Sequence, residues 1–381
     1  MQTTKINNRR YLGNKYRLLP FIEKVIGECC GQFESFANIF AGGGKAKKTN
    51  LTASDDIEIV PTMQDEIKAD SCWVPTFQLI WNDLKNDIAK KDIVFTPQEE
   101  IAENLNKESF TESMLSSDYY YKTYGAKPLS LKKKIEDAIW KKFEQKSDIL
   151  NDFSWSPDEA NDGSELFLYS ILYRKMEFLK KFDVLKKGNF KTQNNIAYFG
   201  INESTNESVR EQVEVLFYNG ADDFAIAINT KSGDQVILYK NPTGKNFEEI
   251  YKNILINSEK FEGFKNLSEQ DELKVPMLDI NKKHEYTEIQ NKVFETANPK
   301  FPMAKIEKAL QTVQLTVNEN GATVKSEAGM GVKCMMAPIE EEKRCFYVDD
   351  TFALFLREKN RKLPYFAARI DDISKFQNAK K

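Results

Sequence analysis

The sequence has 381 residues, 41% of them hydrophobic and 30% charged, which is typical of a soluble globular protein with one large or two ordinary domains. The formal net charge of −3 gives no general electrostatic attraction to nucleic acid. The charge is uneven, since residues 1–50 hold 9 basic against 3 acidic residues. This asymmetry predicts two parts of different origin.

The five cysteines lack a C-x-x-C spacing, so they predict no zinc or other metal site. Their odd number argues against a disulfide framework, although Cys334 and Cys345 can pair, and free thiols are the simpler interpretation. No apolar run is long enough to span a membrane, and the N-terminus has no apolar secretion signal. We therefore expect no membrane partner and, for the chain as written, a cytoplasmic location.

The first informative stretch combines a basic segment with a glycine loop. Residues 10–22 precede a short amphipathic helix, and the apolar residues 36–40 then run into Gly42 and Gly44. A strand that ends in glycines lets the backbone approach a ligand closely.

Together these two pieces resemble the start of the D12 class of adenine-N6 DNA methyltransferases, in which an R-Y-x-G-S/N-K segment and a D-x-F-x-G-x-G loop line the S-adenosylmethionine pocket. The matching residues are Tyr11, Gly13 and Lys15 in the first segment, and Asn38, Phe40, Gly42 and Gly44 in the second. Asn38 stands where the family usually has Asp.

The family's D/N/S-P-P-Y/F/W motif, which binds the target adenine, is absent from the whole sequence. The resemblance therefore implies a truncated methyltransferase fragment, residues 1–48, in a gene fusion of bacterial origin. S-adenosylmethionine is a cofactor, and DNA a partner, only if this fragment is functional.

Residues 49–70 are mostly polar and predict a linker, in which Pro61 interrupts any continuous helix. A helix over 73–90 follows from apolar residues at i, i+3 and i+4. Residues 93–97 predict a short strand, and Thr96-Pro97 predicts the cap and first position of a second helix. Another amphipathic helix is predicted from Leu129 to Phe143.

The middle of the chain predicts a series of short apolar strands and one helix. The strands are 166–173, 178–182, 213–218, 224–228, 236–239 and 274–280, and the helix is 247–256.

The C-terminal part begins with an alternating strand over 312–318, which Gly321 terminates. A second alternating segment follows, with Ala322, Val324, Ser326 and Ala328 on one face and Lys325 and Glu327 on the other. Two apolar strands, 346–357 and 363–370, close the chain. A strand therefore leads into a loop that can itself become a strand.

Three stretches here resemble serpins, in the order and spacing of that family. Residues 317–321 are similar to its V-N-E-x-G hinge, residues 346–357 to its F-x-x-D-x-P-F-x-F-x-I-R strand, and residues 364–370 to its last strand. The resemblance implies an α+β, serpin-like fold for residues 71–375, with large antiparallel sheets, N-terminal helices and an exposed loop before the last two strands. A polar tail, 376–381, follows. Residues 144–165 are shorter than in serpins, which place further strands and helices there.

The serpin resemblance implies a protease inhibitor that acts as a suicide substrate, with a target protease of apolar specificity as its partner. The reactive loop would comprise Gly321, Ala322, Val324, Ser326, Ala328, Met335 and Met336, with cleavage near the two methionines. The alternatives are a non-inhibitory binding protein of the same fold and an adenine-specific DNA methyltransferase. The only histidine, His284, lies in a polar run and is interpreted as a solvated surface residue. We find no catalytic residues in residues 70–381, so enzymatic activity is expected only if the N-terminal fragment acts as an adenine-specific DNA methyltransferase.

Overall fold

The computed structural model describes residues 57–160, 164–321 and 343–377. They form an α+β arrangement of mainly antiparallel sheets with few helices, as the sequence predicts. The tyrosines, phenylalanines and β-branched residues of the strands supply most of the buried core.

The largest sheet has seven strands in the order β1-β2-β19-β18-β11-β10-β9. Its pairs are antiparallel except for β1 and β2, which are parallel. All seven residues of β11 are buried, because the strand is covered on both faces. These strands are β1 Glu58–Ile59, β2 Ser71–Trp73, β9 Val213–Gly220, β10 Asp223–Asn229, β11 Asp234–Lys240, β18 Phe352–Glu358 and β19 Phe366–Ile370.

A second sheet has four strands in the order β17-β12-β8-β5 and packs on the same core. Its strands are β5 Asp183–Val184, β8 Tyr198–Ile201, β12 Glu272–Pro276 and β17 Cys345–Tyr347.

Two separate strand pairs line the cleft that is described in the next section. The first joins β3 Tyr120–Ala126 to β4 Leu166–Leu172, and the second joins β13 Leu278–Glu285 to β16 Leu310–Val317. Two smaller hairpins consist of β6 Gly188–Phe190 with β7 Gln193–Ile196, and β14 Val293–Glu295 with β15 Met303–Lys305.

The helices lie around these strands. They are α1 Thr76–Asp83, continued as a π-helix over Leu84–Ala89, α2 Glu100–Asn106, α3 Leu129–Phe143, α4 Glu207–Arg210 and α5 Phe247–Lys260. In α3 the residues Ile135 and Ile139 are fully buried against Phe167 and Tyr169 of β4. The helix predicted over 129–143 is thus confirmed, and it covers one face of the first strand pair. Within the described ranges no helix has the length and apolar character needed to cross a membrane.

Several sequence-based boundaries are wrong. Residues 57–70, predicted as linker, contribute Ile59 and Val60 to the core, because β1 pairs with β2. Residues 93–97 form no strand, and α2 begins at Glu100 with Glu99 as its N-cap, so the Thr96-Pro97 cap is also wrong. Residues 178–182 form an isolated bridge from Phe178 to Thr230 followed by a bend, in place of a strand.

Two predicted strands are each divided in the structure. Residues 274–280 split at Met277, so that β12 belongs to the four-stranded sheet and β13 to the second strand pair. Residues 346–357 likewise split into β17 and β18, which lie in different sheets. Apolar periodicity does not mark such changes, because the side chains on both sides are buried in one core.

Candidate functional site

A cleft of about 940 Å³ lies between the two strand pairs. β4 lines one side and β16 the other, while Phe77, Ile80 and Trp81 of α1 form its base. Its lining combines aliphatic and aromatic side chains of α1, β4 and β16 with polar side chains such as Gln311 and Asp148. The cleft therefore has the shape of a slot bounded by two extended strands.

Both strands present an open edge to this cleft. Among the described residues β4 forms a ladder only with β3, and β16 only with β13. Their other edges carry backbone N–H and C=O groups that a further strand can pair with. An extended segment in the cleft would join the two pairs into one five-stranded sheet.

Gly321 connects the two sides at one end of the cleft. It forms antiparallel bridges to Asn318, just after β16, and to Glu177, beyond β4. Its φ is +87°, and a Cβ atom added there would lie 2.7 Å from the backbone nitrogen of Phe178. Glycine is therefore required where the chain turns between the two strands.

Along most of β16, buried and more exposed side chains alternate. On β16 Gln311, Val313 and Val317 are buried, whereas Gln314 and Thr316 are exposed. Gln311 is held by three contacts: its Nε2 donates to Val74 O at 3.1 Å and to Thr76 Oγ1 at 2.9 Å, and its Oε1 accepts from Tyr286 at 2.5 Å.

Arg174 follows β4 and fixes the end of the cleft nearest Gly321. Its guanidinium donates two hydrogen bonds to Asp234 and one of 2.6 Å to Glu358, and it stacks 3.5 Å from the ring of Tyr119. Burial raises the pKa of Asp234, while Arg174 acts in the opposite direction. This ionic cluster ties β4 to the seven-stranded sheet.

The outer side of the cleft carries a segment that we call the crossing segment, residues 147–155. It follows α3 and contacts both strand pairs, through Phe153 to β4 and through Asp152 to β13. Residues 144–165 are shorter than the corresponding part of serpins, which place further strands and helices there. In this chain α3 and the crossing segment cover the face of the first strand pair.

The residues predicted for function are only partly within the described ranges. Gly321 lies at the closed end of the cleft, as described above. The other predicted loop residues and all predicted S-adenosylmethionine contacts lie outside the described residues; these are Ala322, Val324, Ser326, Ala328, Met335 and Met336, and Tyr11, Gly13, Lys15, Asn38, Phe40, Gly42 and Gly44.

The interpretation of His284 as a solvated surface residue is wrong. It lies within β13 opposite Gln311, and its ring packs edge-on against Tyr286 at a centroid distance of 4.5 Å. Burial lowers the pKa of this imidazole, and Lys282 lowers it further. The polar run 281–285 concealed a strand, because only alternate side chains there face the core.

Sequence reasoning missed Arg174, Gln311 and the crossing segment as parts of a site. An arginine soon after an apolar strand, as Arg174 is after β4, is only a weak signal of a buried ion pair. The hydrogen bonds of Gln311 to Val74, Thr76 and Tyr286 join residues that are far apart in sequence, so no local pattern predicts them. No local pattern distinguishes the crossing segment from an ordinary connection.

No protein-family model matches the chain, and no curated protein matches it. Among solved structures the chain is similar to serpins. One, from the insect Tenebrio molitor, is 13% identical, covers 80% of this chain and 92% of its own, and has a TM-score of 0.44. The thermophilic serpin tengpin, in its native state, is 9% identical over 81% and 90%, with a TM-score of 0.48. Thyroxine-binding globulin in complex with thyroxine is 13% identical over 80% and 93%, with a TM-score of 0.45.

Proposed function

We propose that this chain is a serpin-type protease inhibitor, in which a loop cleaved by the target protease inserts as a strand into the cleft between β4 and β16. The observation that carries the proposal is the geometry at Gly321. The chain leaves β16, turns at this glycine and bridges to Glu177, so a strand that continued from this glycine would start between the two open strand edges. The three serpin-like motifs of the sequence support the same conclusion.

The two bridges at Gly321 define a register for the inserted strand. If the strand continued in this register residue by residue, Val324 would lie opposite Leu315 and Arg174, and Ser326 opposite Val313 and Leu172. Val313 is buried in the main core, and Leu172 packs against the same core.

The even-numbered loop residues would thus take the buried face, which their small or apolar side chains suit. Lys325 and Glu327 would face outward, where their charges stay solvated. This assignment agrees with the alternating pattern of the loop sequence.

Insertion is favourable because it pairs two edges at once. Each open edge gains ladder hydrogen bonds, typically about 1 kcal/mol net for each bond, and the apolar base of the cleft is removed from water. Before cleavage, the connection of the loop to β17 restrains it. Cleavage near Met335 and Met336 would release that restraint, and the bound protease would be carried along with the inserting strand.

A binding protein without inhibitory activity is the second candidate. The cleft volume of about 940 Å³ lies within the range typical of ligand pockets. In that case a separate extended peptide would occupy the cleft, and loop cleavage would have no mechanical consequence. DNA methylation has less support, since the sequence contains no tetrapeptide that could hold the target adenine.

The first test uses proteases of elastase, chymotrypsin and subtilisin type. Incubation should give a covalent complex that survives denaturing electrophoresis, together with cleavage near Met335. Cleaved protein should also melt at a higher temperature than intact protein, because the inserted strand joins the two pairs. Cleavage with neither a complex nor a higher melting temperature would favour the non-inhibitory candidate.

Two substitutions in the loop give a matched pair for this test. Val324→Glu would place a charge on the buried face and should slow complex formation by about 100-fold or more. Lys325→Glu changes charge by two units on the outward face and should alter the rate much less. Equal effects of the two variants would contradict the proposed register.

A further inference from the structure

A buried cation lies at the end of the cleft away from Gly321, which we call the far end. Lys127 directly follows β3 and lines the cleft, and its side chain is only 9% exposed. In the described part of the chain its one ion pair is with Glu307, whose Oε2 lies 3.9 Å from the ammonium nitrogen and whose side chain is 60% exposed. That distance exceeds a hydrogen bond, so this buried ammonium has no close anionic partner.

A second ammonium group lies beside the same aromatic ring. Lys127 Nζ is 6.0 Å and Lys308 Nζ 5.8 Å from the centre of the Phe153 ring. Lys308 donates to the backbone carbonyl of Asp152 at 3.1 Å, while the carboxylate of Asp152 lies 2.5 Å from Lys283. Among the described residues neither Lys127 nor Lys308 has a carboxylate within hydrogen-bond distance, and both line the cleft. The two lysines can therefore receive an anion that enters the far end.

The direction of the strands determines which end of a bound peptide would reach these lysines. β4 and β16 begin at the far end, with Leu166 and Leu310, and both run toward Gly321. Gly321 forms antiparallel bridges to Asn318 and Glu177, which lie just beyond the other ends of these strands. A strand that continued these bridges would have its C-terminus at the far end.

The register of the bridges also predicts where such a strand would end. Position 332 would lie opposite Leu166 of β4 and opposite Glu307, the ion-pair partner of Lys127. Ala126 pairs with Leu166, so Lys127 comes one residue later along the cleft. A carboxylate that directly followed position 332 would thus lie at the level of Lys127.

We propose that Lys127 and Lys308 form a subsite for the C-terminal carboxylate of an extended peptide that lies antiparallel between β4 and β16. The carboxylate accepts hydrogen bonds from Lys127 in place of the loose pair with Glu307, which is largely exposed and stays solvated. Charge-assisted hydrogen bonds of this kind are roughly twice as strong as neutral ones. The inference rests on the proposed function, since the cleft must accept a strand in this direction, and it adds the group that recognises where the strand ends.

The test compares two acetylated peptides with the sequence of residues 322–332, one ending in a free carboxylate and the other in an amide. Equilibrium binding to the intact, full-length protein should favour the carboxylate by about tenfold, as expected for a hydrogen bond to a charged group. The shorter peptide 322–329 should show no preference between its two forms, because its end stops about 10 Å before Lys127.

Three variants assign this preference to the far end. Lys127→Met should reduce it to less than about twofold, whereas Lys127→Arg keeps a cation and should retain it. Lys231→Met removes a cation at the other end of the cleft, where Lys231 pairs with Glu177 at 3.0 Å, and should leave the preference unchanged. The preference is a ratio measured on one protein, so a general loss of stability in a variant does not imitate its loss.

Equal binding of the carboxylate and the amide of peptide 322–332 to the wild type would overturn the carboxylate subsite and leave the proposed strand insertion intact. A preference that survives in Lys127→Met, or that disappears in Lys231→Met, would also overturn the assignment. Failure of both forms of peptide 322–332 to bind would overturn the acceptance of a strand by the cleft and, with it, this inference.

Discussion

Arg174 shows how a single residue can define one end of the cleft. Its guanidinium lies between two carboxylates, those of Asp234 and Glu358, and its side chain is only 4% exposed. Glu358 also accepts a 3.1 Å hydrogen bond from the backbone of Ser116. Removing the arginine would leave Asp234 without its cationic partner and Glu358 with only the more exposed Arg361, 3.4 Å away, which is more costly than losing the pair as a whole.

We predict that Arg174→Met lowers the free energy of unfolding by about 3 kcal/mol at pH 7. Lys231→Met is the matched control, because the pair of Lys231 with Glu177 is 3.0 Å apart but more exposed, and it should cost less than about 1 kcal/mol. Urea denaturation of both variants measures the difference. Similar losses would show that the buried cluster has no special role.

The loss of stability in Arg174→Met should depend on pH. The folded-state pKa of Asp234 is raised above the ordinary value of 3.8, so its protonated form stabilises the fold. That stabilisation is complete below the unfolded pKa and is lost as pH rises through the folded pKa. Without Arg174 the folded pKa rises further, so the stability gap to the wild type should be larger at pH 7 than at pH 4.

At the scale of elements, the sequence predicts an alternating segment after Gly321, whereas the cleft between β4 and β16 does not follow from any local pattern. Small and charged side chains alternate after Gly321, and this is a local pattern, because side chains of a strand return to the same face every two residues. The cleft depends on β4 and β16, which are far apart in sequence. That each has an open edge follows only from tertiary pairing, which no local pattern encodes.

The strand divisions at Met277 and between β17 and β18 have the same origin. Each divided run is mostly apolar and predicts one strand, yet the chain leaves one sheet for another within it. In the second run the polar residues Asp349, Asp350 and Thr351 lie at the division. The long helix α3 could be predicted, because its buried residues Ile135 and Ile139 repeat at helical spacing.

The turn at Gly321 gives a prediction for the element that joins the two sides of the cleft. Gly321→Ala would bring a Cβ to 2.7 Å from Phe178 N and 2.8 Å from Met176 O, at a φ of +87°. We expect a loss of about 1–3 kcal/mol in unfolding free energy and slower complex formation with the protease, because the bridge to Glu177 must shift. Gly233→Ala, at φ +81° in open space, is the control for the backbone strain alone.

At the scale of the whole molecule, the boundary between the N-terminal part and the body follows from the chain's contacts. Clustering of those contacts separates residues 1–50 from residues 51–381. The predicted linker, residues 49–70, extends too far into the body. Polar composition suggested a linker up to residue 70, yet Met63 and Ile67 are buried in the main core.

A pair of deletions tests where the body begins. Removal of residues 1–56 leaves β1 complete, whereas removal of residues 1–60 takes away Ile57, Ile59 and Val60, which are at most 3% exposed. It also removes the hydrogen bond of 3.0 Å from Val60 N to Cys72 O. We expect the longer deletion to have an unfolding free energy about 4 kcal/mol or more below that of the shorter one, because three buried aliphatic side chains leave a gap beside β2. Urea denaturation and protease complex formation by both proteins, each begun with an added methionine, would measure this difference. The shorter deletion should retain complex formation, since every residue of the cleft and loop remains; loss of complex formation there would instead assign the N-terminal part a role in inhibition.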